Sequence, residues 1–398
     1  MKHFNLSNGR SDAAGFSLVE LMVSVVIGML ALLFATRLII SGELNKDAAV
    51  GGSDSMQNGM LALYSLSNDA AESGWGINDP MLAGCDTVLT DTSGYVLPSA
   101  SRGGVNITPL TAVLIQSNGS NPDVIAFSSG TSQSGNGSAR LFADYLGGSQ
   151  FTIDSRNPYT FQTGDVMVIA PLAQGSAQCS LVQLSGFGAA PLNTLQFNAG
   201  TGFRFNPPAG LANVYRQNVS YIYNLGPSTQ LHFHTWSVAN GVLLLRAAEL
   251  AGAESAGVSV TDNVVSIKGQ YGFDTRVVAG TYDPNPSGNG MQITSWSATM
   301  IDADGDGVVG SPGDYQRIAA VRLAVVARSK TVEKPDSKGQ CSATTEQPTV
   351  FASAAPANVA AVPMQVNVAV AGDTQAWQCY RYRVFENIVP IRNAQWRP

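Results

Sequence analysis

Three aspartates at alternate positions, Asp302, Asp304 and Asp306, have the side-chain type and spacing that bind a hard cation. They lie in the segment IDADGDGVVGSPGD (301–314). A calcium loop begins with alternate carboxylates, a glycine that permits a sharp turn, and then a backbone carbonyl ligand. Gly307 and Val308 stand where that glycine and that carbonyl are needed. The segment therefore predicts a calcium site formed by the three carboxylates and the carbonyl of Val308.

The same segment departs from a complete calcium loop at its far end. The twelfth position, which normally supplies a bidentate glutamate, is Gly313, and Asp314 follows one residue later. Two interpretations stay open: an altered calcium loop, and an Asp-Gly turn that needs no metal. Calcium is the only cofactor that the sequence suggests, and the alternative is that there is none.

A second group with metal-binding side chains is the pair His232 and His234. Residues two apart on a strand point to the same face, so both imidazoles would face one way. Zinc sites often use histidine ligands, but no third ligand is evident here. We therefore interpret the pair as ordinary strand residues.

The four cysteines, Cys85, Cys179, Cys341 and Cys379, all follow the apolar N-terminal segment. None forms a C-x-x-C pair, which argues against a zinc or thioredoxin-type site. An even number on one side of a membrane anchor indicates disulfides in an oxidising compartment. Three pairings are open. We favour Cys341–Cys379, which closes a local loop, and Cys85–Cys179 by default.

Composition favours an extracytoplasmic protein rich in β-structure over a cytosolic enzyme. Charged residues make up 13% of the 398 residues, against about 25% in a typical soluble domain. The net charge is -6, and no basic patch with interleaved aromatic residues is present, which argues against nucleic acid as a partner. The sequence contains neither a G-x-S-x-G nucleophile elbow nor an H-E-x-x-H metal motif. No enzymatic activity is predicted.

The N-terminal region contains a single carboxylate within an apolar run. From Phe16 to Phe34 the only charged residue is Glu20, and the run can just span a hydrocarbon core of about 30 Å. A secretory signal peptide is cut after its apolar region, at small residues. Here the small residues Ala13, Ala14 and Gly15 come before that region. Cleavage between Gly15 and Phe16 would remove the leader and keep the apolar helix.

The segment G-F-S-L-V-E-L-M (15–22) resembles the N-terminal methylation motif of the type IV prepilin family, which includes type II secretion pseudopilins. The resemblance implies that a prepilin peptidase cleaves between Gly15 and Phe16 and N-methylates Phe16. Glu20 would then pair with the new amine, within the chain or in a neighbouring subunit, and set the register of a filament. The alternative is that Glu20 reaches the lipid headgroups near the helix start. Asp12 departs from the usual basic or neutral leader.

Helical periodicity continues beyond the membrane segment and predicts an apolar stripe that packs on a globular head. The stripe consists of Met56, Met60, Leu63, Tyr64, Leu66 and Ala70. Gly42 and Gly51 favour a kink, and Gly74 is a natural stop. We predict four segments: a leader (1–15), a transmembrane and polymerisation helix (16–41), an amphipathic continuation (42–73) and a β-rich head (74–398).

The segments after Trp75 have the composition and spacing of strands. The clearest of them are 123–129, 164–171, 194–199, 219–225, 241–250 and 264–274. Segment 315–329 fits a strand or a helix equally well. Segments rich in small and turn-forming residues, 130–140, 280–292 and 330–360, are predicted loops. One long helix followed by strands predicts an α+β fold.

Four pieces of the chain resemble, in order, the PilW family of minor pilins. They are QNGMLALYSLSNDAAESGWG (57–76), IDADGDGVVG (301–310), AAVRLAVVARS (319–329) and CYRYRVFENIVPIRN (379–393). The resemblance covers the two ends of the chain, and the middle (77–260) matches nothing in that family. It implies a type IV pilin-like fold, in which a long N-terminal helix packs on a β-rich head.

The resemblance also implies a role in type IV pilus assembly and priming. The precursor would cross the inner membrane once, with its head in the periplasm, and then join a pilus on the surface of a Gram-negative bacterium. Implied partners are other minor pilins, the major pilin, the prepilin peptidase, the inner-membrane assembly platform and a PilY-type tip adhesin. Two alternatives stay open: a type II secretion minor pseudopilin, and an adhesin or binding module on a pilin stem. Arg381, Arg383 and Arg392 either contact a partner subunit or form the solvent face of an edge strand.

Overall fold

The computed structural model describes residues 17–131, 138–154, 160–189, 193–276, 290–333 and 335–395, without the side chains of 40–51 and 394–395. The predicted cleavage site, Gly15 and Phe16, lies outside the described residues. The chain divides into two compact units, with the boundary between Ser53 and Asp54. The four predicted segments remain predictions, since this boundary marks compactness and not processing.

One long helix, α1 (Leu18–Glu72), begins in the first unit and ends in the second. Its apolar part, Leu18–Ile39, is long and apolar enough to cross a membrane, and its side chains are exposed. The assigned helix runs through Gly42 and Gly51. It ends just before Gly74, whose φ of 88° is a conformation that glycine adopts without steric cost.

The helix face that packs in the second unit contains half of the predicted stripe: Leu66 and Ala70 are buried, and Leu63 packs against the core. Met56, Met60 and Tyr64 are exposed, whereas the small residues Gly59 and Ala62 are buried, together with Leu66 and Ala70. The reason is close approach: a Cβ at position 59 would overlap the ring of Phe385. The prediction followed side-chain hydrophobicity, but small size decided which face lies on the sheet.

The strands of the described residues range from two residues to the eleven of β19. They are β1 Cys85–Leu89, β2 Ala100–Arg102, β3 Val105–Ile107, β4 Pro109–Leu110, β5 Val113–Gln116, β6 Val124–Ser129, β7 Ser138–Arg140, β8 Gln150–Thr152, β9 Asp165–Pro171, β10 Cys179–Gln183, β11 Gly186–Phe187, β12 Thr194–Gln196, β13 Ser220–Pro227, β14 His232–Ala239, β15 Val242–Ala247, β16 Val258–Asp262, β17 Val264–Phe273, β18 Ser295–Ser297, β19 Ile318–Arg328, β20 Thr349–Val350, β21 Met364–Gln365 and β22 Tyr382–Pro390. Short helices are α2 (Pro312–Tyr315) and α3 (Arg392–Gln395), with 3-10 turns at Ser228–Gln230 and Trp377–Cys379.

Two sheets share a core with the second half of α1. One has the order β16-β15-β14-β6-β5 and the other the order β18-β17-β19-β22. Their shared core contains Leu66 of the helix, Phe127 and Trp236 of the first sheet, and Tyr271 and Leu323 of the second. The helix therefore lies where both sheets can cover its small-residue face.

A third sheet, of order β4-β1-β10-β9-β13-β7, is built from the middle of the chain. Its strand β9 is buried at every position, and alternate residues enter two different cores: Val166 and Val168 one, Met167 and Ile169 the other. Residues at period two point to opposite faces, so this sheet is covered on both sides. A small sheet of order β11-β12-β8 contributes to the second of those cores.

The α+β class with one long helix and a β-rich head is confirmed, and the predicted strands are present. Segment 315–329 is mainly strand β19, preceded by the short helix α2. The loop predictions for 130–140 and 330–360 were wrong in part, because β7 and β20 lie within those segments. Both strands are only two or three residues long and exist through pairing with β13 and β21, which are distant in sequence.

Two disulfides lie in the second unit. Cys85–Cys179 joins β1 to β10, with a sequence separation of 94, and Cys341–Cys379 has a separation of 38. These are the two pairs favoured from the sequence.

Candidate functional sites

The candidate assembly site is the start of α1. Glu20 lies in the first turn of the helix and is exposed. The amide dipoles of a helix place about half a positive charge at this end, which favours a carboxylate. The pairing of Glu20 with an N-terminal amine stays a prediction, because the amine lies outside the described residues.

The aspartate turn brings the three predicted carboxylates together. One oxygen from each of Asp302, Asp304 and Asp306 lies within 4.8 Å of the others. The same side chains also accept backbone N–H bonds: Asp302 from Gly305 at 2.8 Å, and Asp306 from Val308 at 2.7 Å. The carbonyl of Val308, the predicted fourth ligand, accepts from the Ser311 N–H at 3.1 Å. Calcium binding at this turn therefore stays a prediction.

The end of that turn lacks the glutamate that completes a calcium loop. A Cβ at Gly313 would overlap the carboxylate of Asp304, so a larger residue there would require that side chain to move. Asp314 is fully buried and accepts four backbone N–H bonds, among them Ala303 at 2.5 Å and Gly310 at 2.8 Å. Burial raises the pKa of Asp314, although these N–H groups act in the opposite direction. Its carboxylate holds the turn together from the inside.

His234 is the centre of a polar network that the sequence did not reveal. Its Nδ1 lies 2.7 Å from Asp69 Oδ2 on α1, and its Nε2 lies 2.6 Å from Glu249 Oε1. The Trp236 indole N–H donates to the same Asp69 oxygen at 2.7 Å. The rings of His232 and His234 stack with centroids 5.5 Å apart, so both lie on one face of β14 as predicted.

The two carboxylates decide the charge of His234. Burial alone would lower its pKa, but the hydrogen bonds and charges of Asp69 and Glu249 outweigh burial and raise the pKa to about 10. At neutral pH the imidazolium donates from both ring nitrogens. The group is therefore an ionic link between the helix and the sheet.

Further polar contacts hold α1 along its buried length. The Asn58 amide donates to Asp262 Oδ1 at 3.0 Å, and the Asn387 amide donates to Ser67 Oγ at 3.0 Å. At the helix end, the Asn393 amide donates to the carbonyl of Glu72 at 3.0 Å. Together with Asp69, these contacts are spread from the start to the end of the packed part of the helix.

The C-terminal sheets also bury full charges. Lys268 on β17 and Asp123 are both fully buried and in direct contact, and Lys268 Nζ donates to the carbonyls of Gly119 at 2.9 Å and Asn121 at 3.0 Å. Arg322 on β19 is 2% exposed. The partners of these charges are distant in sequence, so no local signal could have indicated the pairs.

The middle of the chain contains a polar cleft of about 390 Å³. Its described lining includes Asp86, Arg102, Gln174, Gln178 and Asn213, and no aromatic residue. The Gln178 amide donates to Asp86 at 2.7 Å. If the head were an adhesin, we would expect a pocket of exposed aromatic residues in this region. The described lining of this cleft contains none.

Comparison with known families covers both ends of the chain. The family model described as type IV pilus-assembly protein W matches residues 234–393. The model of the prokaryotic N-terminal methylation motif matches residues 10–36. The two matches support a type IV pilin of the PilW family.

For this PilW-family pilin, neither the curated proteins nor the solved structures that were compared gave a match. The matched residues of the PilW model begin at His234, at the centre of the network that holds α1. They end at Asn393, which binds the carbonyl of Glu72. The family region thus contains the polar partners that hold the helix, His234, Asp262, Asn387 and Asn393. The methylation motif and the apolar helix fit a membrane-anchored precursor of a pilus subunit.

Proposed function

We propose that this PilW-family pilin is a minor pilin that takes part in the assembly and priming of type IV pili. Prepilin peptidase processes it between Gly15 and Phe16, and it then assembles through its N-terminal helix. The observation that carries the proposal is the methylation motif next to the exposed apolar segment Leu18–Ile39, in a chain whose C-terminal region matches the PilW model. Its role is structural, and we expect no catalysis.

The proposed partners follow from this role. They are the other minor pilins, the major pilin, the inner-membrane assembly platform and a PilY-type tip adhesin. Before assembly the head faces the periplasm of a Gram-negative cell, where the disulfides Cys85–Cys179 and Cys341–Cys379 are stable. Immunogold labelling of isolated pili would locate the protein at the tip or along the shaft, and labelling that is absent from pili would contradict the proposal.

Processing is tested by mass spectrometry of the mature N-terminus. The expected first residue is N-methylated Phe16. An intact Met1, or cleavage well after Leu33, would contradict the proposal. A Gly15→Val variant, which enlarges the residue before the cut, is expected to keep its leader.

The role of Glu20 is tested by comparing Glu20→Ala with Ser24→Ala, an exposed residue one turn further along the helix. The first variant removes the carboxylate, and the second controls for a change of side chain in the apolar segment. Glu20→Ala is expected to be processed and inserted but largely absent from pili, with Ser24→Ala present at the wild-type level. Equal incorporation of both variants would exclude a pairing role for Glu20.

A deletion strain distinguishes the pilus from the secretion system. Loss of surface pili and twitching is expected, and complementation with the wild-type gene should restore both. Normal pili with a defect in protein secretion would instead identify a type II secretion pseudopilin.

A further inference from the structure

The strand β22 (Tyr382–Pro390) is a long, open sheet edge. It pairs with β19 over all nine residues in continuous register and lies at the end of its sheet. The longest other ladders, β17 with β19 and β9 with β13, each contain a register shift. Proteins usually protect an edge of this length with a bulge, a proline or a cover, because it can pair with another chain.

The backbone groups that face the open side can be assigned from the hydrogen bonds of the neighbouring residues. The Ile391 N–H donates to the Ala319 carbonyl at 3.0 Å, and the Arg381 carbonyl accepts from Ser329 at 2.8 Å. The backbone N–H and C=O groups of odd-numbered residues therefore point toward β19. Because these directions alternate in an antiparallel pair, the backbone groups of even-numbered residues point outward. The outward residues are Tyr382, Val384, Glu386, Ile388 and Pro390.

Only the far end of this edge is closed. The Ile388 N–H is capped by Asn387 Oδ1 at 2.9 Å, and Pro390 has no N–H. Within the described residues, the outward N–H and C=O groups of Tyr382, Val384 and Glu386 have no hydrogen-bond partner. Each face of the strand is anchored to the head by one side chain: Phe385 lies against α1 at Gly59, and Ile388 packs on a small core cluster.

The open edge is positively charged. Arg381, Arg383 and Arg392 are exposed, and none has a carboxylate partner in the part of the chain that the structure describes. The acidic residue of this strand, Glu386, is occupied by the Arg322 guanidinium at 2.7 Å and the Phe351 N–H at 2.6 Å. A basic edge on a chain of net charge -6 is complementary to an acidic segment.

We propose that the open edge at Tyr382–Glu386 receives an extended, acidic segment of another subunit as an added β-strand. Main-chain hydrogen bonds to Tyr382, Val384 and Glu386 supply the affinity, and the flanking arginines select acidic side chains. The inference rests on the proposed function, since a pilus places other subunits beside this one. It goes beyond that function because it names the surface and the chemistry of the partner segment.

The first experiment uses the full-length protein in detergent and needs no pilus. The probes are two blocked, fluorescent peptides of equal length, one alternating valine and glutamate and the other alternating valine and lysine. Fluorescence anisotropy should show that the glutamate peptide binds at least about tenfold more tightly. Equal binding of both peptides, or no binding of the glutamate peptide, would overturn the proposal.

Two variants at one position test whether the peptide binds to the backbone N–H of residue 384. Val384→Pro removes an outward N–H without removing a bond to β19, and Val384→Thr keeps that N–H. The proline variant should lose affinity by about tenfold or more, a loss of about 1.4 kcal/mol, and the threonine variant should bind like the wild type. Thermal unfolding of both variants checks that the head is folded. Wild-type affinity in a folded Val384→Pro variant would contradict the proposal that the partner adds a β-strand to this edge.

The second experiment uses the wild-type chain, so it stands even when the proline variant does not fold. Hydrogen–deuterium exchange of the segment 382–388 should be fast at the outward amides of the isolated protein and markedly slower in purified pili. Unchanged exchange in pili that contain the protein overturns the added strand while leaving the proposed function intact. Absence of the protein from pili contradicts the proposed function, and the peptide experiment then decides this inference alone. Sedimentation would also detect self-association of the isolated protein. If the wild type self-associates and Val384→Pro abolishes this, the edge binds a second copy of the chain and the acidic partner is contradicted.

Discussion

The middle of the chain and its C-terminal region are stabilised in different ways. The sheet of the middle region packs around aromatic and aliphatic side chains; Phe151 and Phe197, for example, have ring centroids 4.6 Å apart. The C-terminal sheets bury the charges of Lys268 and Arg322 and bind α1 through the Asp69–His234 pair. Apolar cores accept many side-chain combinations of similar volume, whereas a buried charge needs its particular partner.

This difference parallels what the family model covers. The matched region contains the polar contacts that fix the helix and the disulfide Cys341–Cys379, whereas the unmatched region contains the third sheet and the disulfide Cys85–Cys179. We infer that the C-terminal region carries the contacts that hold α1 on its sheets.

Lys268→Met is expected to give the largest loss of stability, about 3–5 kcal/mol, because it leaves the carboxylate of Asp123 buried without its cation. Urea unfolding of the detergent-solubilised protein measures the loss. The matched control is Lys268→Met with Asp123→Asn, which removes both charges and should recover part of the stability. A loss below about 1 kcal/mol for the single variant would mean that the C-terminal core does not depend on its buried charges.

Removal of the disulfide Cys85–Cys179 by serine substitution should cost about 2–5 kcal/mol. The control is the same change at Cys341 and Cys379. Since the first pair closes the longer loop, with a separation of 94 against 38, its loss should be the larger one by a few tenths to about 1 kcal/mol. Thermal unfolding under matched conditions measures both. The reverse order would show that the middle region does not rely on its disulfide more than the C-terminal region does.

His234 should make stability depend on alkaline pH. Its folded pKa of about 10 lies above its ordinary value of 6.5, so the folded state holds an extra proton between these values. The contribution is fully present below about pH 6.5 and is lost as the pH rises through about 10, on the order of a few kcal/mol. Denaturant unfolding across this range measures the slope.

His234→Gln should flatten this slope, while His232→Gln, at the partly exposed neighbour, should leave it unchanged. A wild-type stability that is constant from pH 6.5 to 10 would exclude an ionic link between the helix and β14.

Gly59→Ala tests the close approach of the helix to β22. Alanine improves helix propensity by about 1 kcal/mol, but its Cβ would overlap the Phe385 ring, and overpacking costs about 1–3 kcal/mol. We expect a net loss of about 1 kcal/mol, measured by thermal unfolding. The double variant Gly59→Ala with Phe385→Leu should lose less. A more stable single variant would show that the sheet can move away from the helix.

Calcium at the aspartate turn should have the smallest effect, about 1 kcal/mol of stabilisation at a calcium concentration several times Kd. Isothermal calorimetry on the wild type and on Asp304→Ala tests it, with Asp306→Asn as a milder change in the same cluster. Flat traces for both the wild type and Asp304→Ala would leave the segment as a turn held by Asp314.

The sequence predicted those features that depend on neighbouring residues. The methylation motif, the long helix, the strands with alternating or apolar runs and the closely spaced aspartates are all local patterns. The packing of Leu63, Leu66 and Ala70 was predicted from helical spacing, but that of Met56, Met60 and Tyr64 was predicted wrongly. Hydrophobicity was taken as the guide there, whereas the Gly59–Phe385 contact requires the absence of a side chain. Segment 315–329 stayed ambiguous since a strand buried on both faces and a buried helix have similar composition.

The polar sites could not be predicted because their partners are far apart in the chain. Asp69 and His234 are 165 residues apart, and Asp123 and Lys268 are 145 apart. No spacing rule connects such residues, so the sequence did not reveal the hydrogen-bond partners of His234. Likewise, the burial of the Asp314 carboxylate depends on how its loop packs, and its position after Gly313 did not predict it.

The small-residue face of α1 has a mechanical consequence. Because few large side chains project from the buried side of α1, the helix resists sliding mainly through its polar contacts at Asn58, Ser67 and Asp69. These contacts are spaced along the packed part of the helix, so tension along its axis would load all of them. Such tension acts on the contacts in shear, so the hydrogen bonds and the Asp69–His234 ion pair would share the force.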